Sequence, residues 1–212
     1  KAACEFLNGG QKHDWKPQLA MPARPKMPER VTSTPPADAG EPDMEMRQLG
    51  KPSRTWAYRN AEGVILGYVA RYDTPTGKEI RCHSFGARGT DAPEWAVGAW
   101  SKPRPMLNLD LLAARPNDPV LIVEGEKTAE AAAALLSRYV VTCWPGGAQA
   151  WRHADWTALK GRRILLWPDA DAAGVSASAA MAASLPTVCQ EVKVLSVDGQ
   201  KEGWDAADAL TE

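Results

Sequence analysis

Acidic residues follow two short apolar segments in the second half of the chain. Residues 120–123 lead directly into Glu124, and residues 164–167 lead, after one proline, to Asp169 and Asp171. Clustered carboxylates repel each other, and each raises the pKa of its neighbours unless a cation neutralises them. Oxygen ligands with no histidine or cysteine nearby suit Mg²⁺ or Mn²⁺. The three acids are therefore predicted to bind one of these metals.

The apolar segments have the composition of strands that are buried on both faces of a parallel sheet. Neither segment alternates apolar with polar residues, and an alanine-rich helix is predicted at 126–138. This alternation of strands and helices predicts an α/β fold in which helices flank the sheet. The predicted strands are 120–124, 139–144, 162–167 and 189–197. Ligands of such sheets bind at the carboxyl ends of the strands, so the acids converge if their strands are neighbours.

Two further acids, Asp205 and Asp208, could approach the same place from the last segment of the chain. Residues two apart in an extended chain point the same way, so Asp169 and Asp171 can both face one metal pair. Taken singly, each acid could be a helix cap or a solvated surface charge, since aspartate is common at helix starts. Taken as a set at strand ends, the acids are better explained as metal ligands.

The two strand ends resemble the motifs of the Toprim domain. The first strand ends in Glu124-Gly125, and the later one ends in Asp169-Ala170-Asp171, with Gly174 shortly after it. This domain is shared by DnaG-type and phage-type primases, topoisomerases and nucleases of the overcoming-lysogenization-defect type. The resemblance covers about 118–212, and it implies a Toprim-like parallel sheet for that part of the chain.

The resemblance also implies roles for single residues. Glu124 would be a general acid/base or a metal ligand, and Asp169 and Asp171 would be metal ligands, which makes these three the predicted catalytic residues. The segment with Asp205 and Asp208 resembles the further acidic motif of Toprim primases, which adds both residues to the predicted metal ligands. Many primases carry aspartate four residues after the glutamate, where this chain has Thr128.

A small antiparallel β module is predicted upstream, at 53–115. Turn sequences at 60–63 and 73–77 separate three predicted strands. The module resembles the segment before the Toprim domain in DnaG-type primases, where an arginine-containing strand and a turn precede a strand that ends in arginine. The predicted residues for binding nucleic acid or nucleotide phosphates are Arg59, Arg71, Arg81 and, at the start of the next domain, Lys127, which could equally be a solvated helix residue.

The proline, cysteine and apolar residues of the chain indicate which other kinds of segment and site to expect. Residues 1–52 are rich in proline and are predicted to be a largely disordered linker, and residues 116–212 are predicted to be the Toprim domain. The four cysteines are far apart and form no CxxC pair, which argues against a zinc site or a disulfide scaffold within this chain. No apolar segment approaches a membrane span, and a cytoplasmic location is expected.

Together these features predict a DNA primase, a nucleotidyltransferase that makes RNA primers on single-stranded DNA in DNA replication. Its cofactor would be Mg²⁺ or Mn²⁺, and its substrates would be ribonucleoside triphosphates. A primase-helicase-like protein of a phage or mobile element would have a replicative helicase as partner. The alternatives are a Toprim nuclease, which would normally add an ATPase motif that this sequence lacks, and a non-catalytic, metal-dependent DNA-binding module.

Overall fold

The computed structural model describes residues 28–212 and contains two sheets. The antiparallel sheet consists of β1 (Arg30–Thr32), β2 (Arg54–Arg59), β3 (Ile65–Thr74), β4 (Gly77–Arg88) and β5 (Glu94–Val97). Its order is β1-β4-β3-β2, and β5 also pairs with β4. The parallel sheet consists of β6 (Val120–Ile122), β7 (Val140–Thr142), β8 (Arg163–Leu166) and β9 (Glu191–Val194), in the order β7-β6-β8-β9.

An α-helix follows each of β6, β8 and β9, and a 3₁₀ helix follows β7. The α-helices are α1 (Leu109–Ala114), α2 (Glu126–Leu135), α3 (Ala172–Ser184) and α4 (Ala206–Ala209), and short 3₁₀ helices occur at Ala148–His153, Thr157–Leu159 and Leu185–Thr187. The predicted fold class is confirmed: a parallel sheet flanked by helices follows a β-rich segment. The division of the chain at residues 53 and 116 stays a proposal. Within residues 28–212, no helix has the length and apolarity that crossing a membrane requires.

Alternate residues of the parallel sheet face two separate apolar clusters. Ile122 belongs to a cluster that includes Met181 of α3. Leu121, the preceding residue of β6, belongs to a cluster that includes Trp56 and Tyr58 of β2. Because side chains of a strand alternate between the two faces of its sheet, β6 is buried on both faces, as its unbroken apolar sequence predicts. One of these faces is shared with the antiparallel sheet.

The segment 28–52 differs from the predicted disordered linker. Its strand β1 pairs antiparallel with β4, and Arg30 lies opposite Arg88 in the register. The guanidinium of Arg30 donates hydrogen bonds to Ser84 Oγ at 2.6 Å and to the carbonyl of Glu94 at 2.8 Å. The prediction of disorder is therefore wrong for residues 28–52, because proline content carries no information about pairing with distant strands. The rest of the predicted linker, 1–27, lies outside the described residues.

Two aromatic side chains hold the rest of this segment on the antiparallel sheet. The hydroxyl of Tyr72 donates a hydrogen bond to the carbonyl of Met44 at 2.7 Å, and Trp95 Nε1 donates one to the carbonyl of Gly40 at 3.1 Å. Both donors belong to strands of the sheet, so the segment covers the face that points away from α2. Residues 28–52 are thus part of the packed β module.

Removing residues 28–52 is expected to destabilise the protein, which removal of a disordered linker would not do. A chain that begins at residue 53 lacks β1 and the hydrogen bonds of Arg30. Its melting temperature should lie about 5–10 °C below that of a chain beginning at residue 28, since hydrogen bonds to charged groups contribute about 1.5–3 kcal/mol each. Thermal unfolding of the two chains measures the difference. Equal melting temperatures would show that this segment contributes nothing to stability.

Candidate functional site

Two neighbouring parallel strands place the first acids side by side. β6 pairs with β8 in a register that aligns Ile122 with Leu166. The amide of Trp167 then donates a hydrogen bond to the carbonyl of Ile122 at 2.9 Å, which keeps the two chains together beyond the strands. Glu124 lies two residues after the end of β6, and Asp169 lies three residues after the end of β8. The structure therefore brings together the two acids that the strand pattern places at carboxyl ends.

Glu124 and Asp169 are partly buried carboxyls whose charged forms are disfavoured. Burial, together with the charges of Asp169 and Asp171, raises the pKa of Glu124 to about 7. Burial also raises the pKa of Asp169 to about 6, with further contributions from Asp205 and Asp171. Glu124 Oε1 and Asp169 Oδ1 are inaccessible to water and have no hydrogen-bond partner among residues 28–212. A bound cation would compensate such oxygens.

The other three predicted ligands hold helix ends beside this pair. Asp171 caps α3 by accepting a hydrogen bond from the amide of Gly174 at 2.7 Å. Asp205 caps α4 by accepting from the amides of Ala207 and Asp208, and Asp208 accepts in turn from the amide of Asp205. Burial is the main cause of the raised pKa of Asp169, and the charges of Asp205, Asp171 and Asp208 raise it further. These residues are thus helix caps that also contribute to the negative field at the site.

Thr128, which stands where many primases carry aspartate, holds one of these caps in place. Its side chain is buried in the first turn of α2, and its hydroxyl donates a hydrogen bond to Asp205 Oδ2 at 3.0 Å. Because Oδ1 accepts from the amides of α4, both carboxylate oxygens of Asp205 have protein partners. Thr128 therefore fixes an existing carboxylate and does not supply a further one.

Glu124, Asp169 and Asp205 line a cleft of about 500 Å³ between the two sheets. One wall is formed by Trp56, Arg71, Lys78, Ile80 and Cys82 of the antiparallel sheet, and the other by Glu124 to Thr128, Trp144, Gly146, Gly147, Asp169 and Asp205. A larger cleft, of about 810 Å³, lies beside α1 and has one carboxylate in its lining, Asp155. The smaller cleft is therefore the one that contains the predicted site acids Glu124, Asp169 and Asp205 together with cations.

Arg71 and Lys78 face the acids because side chains alternate along β3 and β4. Both residues lie on the sheet face that lines the cleft. Burial and Asp205 raise the pKa of Asp169, and the ammonium of Lys78 partly offsets that rise. Arg71 Nε also contacts Asp73 Oδ1 at 2.8 Å, on the same strand. A cationic wall thus stands opposite the carboxylates.

The four predicted phosphate-binding residues are divided between two places. Arg71 and Lys127 line the cleft. Arg59 lies at the β2–β3 turn, where its guanidinium donates a hydrogen bond to the carbonyl of Gly63. Arg81 is three residues from Lys78 on β4, so its side chain points to the opposite face, where it pairs with Glu79 at 2.7 Å. The structure does not bring Arg59 or Arg81 to the acids.

Two charged residues of the cleft were not among the predicted site residues. Lys78 could be identified by alternation along β4 once the buried face of that strand is known, but the sequence does not reveal this face. Glu126 has a side chain in the first turn of α2, where glutamate is common for helix-dipole reasons alone. Here it is only 8% exposed, and the hydroxyl of Tyr58 donates a hydrogen bond to its Oε1 at 2.8 Å. Burial raises the pKa of Glu126.

The donor set fits a magnesium-like ion with few protein ligands. Within residues 28–212, no group of three or more histidine, cysteine, aspartate or glutamate side chains has the spacing of a complete metal cage. Mg²⁺ commonly uses one or two carboxylates and keeps water or substrate phosphates as its other ligands. Glu124 Oε1 and Asp169 Oδ1 are two such unpartnered carboxylate oxygens. They would hold the ion, and the capping aspartates would add negative charge beside them.

Comparison with known proteins gives one family and several solved structures. Residues 53–170 match the family described as Domain of unknown function (DUF6371). None of the curated proteins matches the chain. The primase fragment of the bacteriophage T7 primase-helicase protein is 18% identical, with a TM-score of 0.47, and the match covers 73% of this chain and 55% of that one.

Two further structures come from bacterial primases. The zinc-binding and RNA polymerase domains of the Aquifex aeolicus primase are 13% identical, with a TM-score of 0.48, over 77% of this chain and 38% of that one. The RNA polymerase domain of Mycobacterium tuberculosis primase DnaG is 16% identical, with a TM-score of 0.45, over 79% of this chain and 55% of that one. The chain thus spans about half the length, or less, of these structures.

Proposed function

This chain belongs to the family described as Domain of unknown function (DUF6371), and we propose that it is a metal-dependent nucleotidyltransferase of the primase type. It would join ribonucleoside triphosphates into RNA primers on a single-stranded DNA template. The observation that carries this proposal is the cleft that Glu124 and Asp169 line together with Arg71 and Lys78. Phosphoryl chemistry needs this combination, since a metal and fixed cations together neutralise the phosphates of substrate and leaving group.

The two walls of the cleft would have different roles. Glu124 and Asp169 would hold Mg²⁺ or Mn²⁺, which when bound would activate the attacking 3′-hydroxyl and stabilise the pyrophosphate leaving group. Arg71 and Lys78 would bind the triphosphate from the opposite wall, with Lys127 at the start of α2 as a third cation. The other predicted metal ligands are Asp171, Asp205 and Asp208. They would cap α3 and α4 and add negative charge near the site.

The wider assignment is part of the same proposal and is supported by the Toprim-like motifs. The protein would act in DNA replication in the cytoplasm, together with a replicative helicase, and would originate from a phage or mobile element. Residues 53–115, with residues 28–52 packed on them, would form the β module of the primase core, and residues 116–212 would form the Toprim domain. The basic wall of the cleft belongs to the first of these parts, and the acidic wall belongs to the second.

Primer synthesis on single-stranded DNA tests the proposal, with DNA cleavage measured in the same reactions. The wild-type protein should incorporate ribonucleotides when Mg²⁺ or Mn²⁺ is present and should leave the template intact. Glu124→Gln keeps the size of the side chain but removes a ligand charge, so incorporation should fall by at least about 100-fold while affinity for single-stranded DNA stays within about 2-fold. Metal-dependent cleavage without incorporation would instead establish a nuclease, and DNA binding with neither activity would establish a non-catalytic module.

A second prediction separates the two faces of β4. Lys78→Ala removes a cation from the cleft wall, so nucleoside triphosphate should bind about 5–10-fold more weakly, with a salt dependence reduced by about one released counterion. Arg81→Ala is the matched control, because it removes a cation from the same strand but from the opposite face. Calorimetric titrations at several salt concentrations measure both variants. Equal effects of the two substitutions would contradict the assignment of the cleft face as the phosphate-binding surface.

A further inference from the structure

Two polar contacts join β2 of the antiparallel sheet to α2. The hydroxyl of Tyr58 donates a hydrogen bond to Glu126 Oε1 at 2.8 Å. The guanidinium of Arg54 contacts Glu130 Oε2 at 2.6 Å. The two partners are four residues apart on each element, so the strand is connected to the helix at two successive points. The Tyr58 contact is buried, whereas both side chains of the Arg54 contact are about half exposed.

The buried contact lies beside the cleft, which Glu126 lines. The Tyr58 side chain is fully buried, its ring packs against Trp100 with centroids 4.9 Å apart, and its hydroxyl lies 3.9 Å from Cys143 Sγ. Glu126 lines the cleft, and no lysine, arginine or histidine of residues 28–212 forms an ion pair with it. A buried carboxyl without a cation is an expensive way to stabilise a fold, because apolar side chains of similar volume pack there at lower cost. We therefore expect the Glu126 carboxyl to act by fixing the position of β2 relative to α2.

The contact connects the two walls of the cleft over a short path. Tyr58 is on β2, which pairs with β3 so that Arg54 lies opposite Arg71, and β3 pairs with β4 so that Asp73 lies opposite Lys78. On the other side, Glu126 is two residues after Glu124, at the start of α2. A change in the Tyr58–Glu126 distance would therefore move the cationic wall relative to the carboxylate that lies at the end of β6.

We propose that Glu126, through its hydrogen bond with Tyr58, is a positioning residue that sets the separation between the cationic and acidic walls of the cleft. This inference rests on the proposed function in one respect: the ligand that bridges the two walls is a nucleoside triphosphate with Mg²⁺. The hydrogen bond is needed for that ligand, which contacts both walls. It is not needed for Mg²⁺ alone, because Glu124 and Asp169 both belong to the acidic wall.

Four variants of the full chain test the inference. Tyr58→Phe removes the donor and keeps the ring packing, and Glu126→Ala removes the acceptor. Glu126→Gln keeps an acceptor oxygen for Tyr58 and is the conservative rescue. Arg54→Ala breaks the other contact between β2 and α2 and is the matched control. Calorimetry measures the affinity for Mg²⁺ alone and for ATP with Mg²⁺, and thermal unfolding is recorded for each variant.

The expected result is a selective loss of triphosphate binding. Tyr58→Phe and Glu126→Ala should bind ATP with Mg²⁺ about 10-fold more weakly, the effect of leaving one buried hydrogen-bonding group unpaired. Both should bind Mg²⁺ alone within about 2-fold of wild type, and Glu126→Gln and Arg54→Ala should bind both ligands within about 2-fold, since neither loses the Tyr58 hydrogen bond. Tyr58→Phe keeps the packed ring, so the test stands even if Glu126→Ala does not fold.

Several results would overturn the inference. Wild-type affinity for ATP with Mg²⁺ in Tyr58→Phe would do so, as would losses in all variants, Arg54→Ala included, that follow their melting temperatures. Failure of the wild-type protein to bind ATP with Mg²⁺ would also overturn the inference. The proposed function fails in a different way: the wild type binds the nucleotide and responds to Tyr58→Phe as stated, yet incorporates no ribonucleotide on single-stranded DNA.

Discussion

Asp169→Asn is expected to abolish metal-dependent turnover while raising the melting temperature of the metal-free protein. Loss of a ligand to a catalytic ion removes several kcal/mol of transition-state stabilisation, so nucleotide incorporation should fall by at least about 10³-fold. The gain in stability has a separate cause. Asp169 is a partly buried carboxyl whose charge is opposed by burial and by its acidic neighbours. Asparagine has the same shape and does not carry that charge.

The pH dependence follows from the pKa of Asp169. Burial raises this pKa from 3.8 to about 6 in the folded protein, so the folded state holds a proton that the unfolded state has already lost. Stability contributed by this group is therefore present below pH 3.8 and is lost as the pH rises through 6. At pH 8 the substitution should raise the melting temperature by about 2–4 °C, the effect of about 1 kcal/mol in a protein of this size, and at pH 3.5 by nothing.

Thermal unfolding with a chelator at pH 3.5, 6 and 8 checks this expectation. Asp91→Asn is the control, because it removes the same charge from an exposed turn between β4 and β5. The control should show no gain at any pH, and added Mg²⁺ should stabilise the wild type but not Asp169→Asn. A lower melting temperature for Asp169→Asn at pH 8, together with retained turnover, would show that the residue is structural.

Gly174→Ala is expected to damage the fold and the site together. Gly174 lies in the first turn of α3, where an added Cβ would collide with Glu124 Oε1 and lie 2.6 Å from the carbonyl oxygen of Asp169. Helix propensity by itself would favour alanine by about 1 kcal/mol. Overpacking against a backbone carbonyl costs about 1–3 kcal/mol, so the melting temperature should fall by about 2–6 °C. Displacement of the Glu124 carboxylate should also weaken Mg²⁺ binding by at least about 10-fold.

Gly125→Ala is the matched control for this substitution. Gly125 is extended, with φ −139°, and nothing lies within 4 Å of a Cβ added there. Alanine should therefore be accepted beside Glu124 without loss of stability or metal affinity. Thermal unfolding and Mg²⁺ calorimetry of the two variants measure the contrast. If Gly174→Ala were as stable as Gly125→Ala and bound Mg²⁺ equally well, the close approach of α3 to the two acids would have no role in the site.

The positions of Glu124 and Asp169 near the ends of buried strands could be predicted from the sequence. Residues 120–123 are apolar without alternation, and only a strand covered on both faces buries such a segment. The two faces of β6 do contact different apolar clusters, one with Met181 and the other with Trp56. Acids placed at the ends of such strands were therefore expected at one edge of the sheet. The neighbouring position of β6 and β8, on which the meeting of Glu124 and Asp169 depends, had to be shown by the structure.

The cationic wall was decided by contacts between residues far apart in the chain. Alternation shows that Lys78 and Arg81 point to opposite faces of β4, but which face is covered depends on how the whole antiparallel sheet packs. The same applies to β1, whose partner strand lies more than fifty residues along the chain, and to the burial of Glu126 under Tyr58. Short-range sequence patterns record propensity and periodicity, whereas these features arise only when distant surfaces are brought together. The sequence by itself thus identified Glu124 and Asp169 as candidate ligands, and the packing of the two sheets decided that Lys78 and Glu126 line the same cleft.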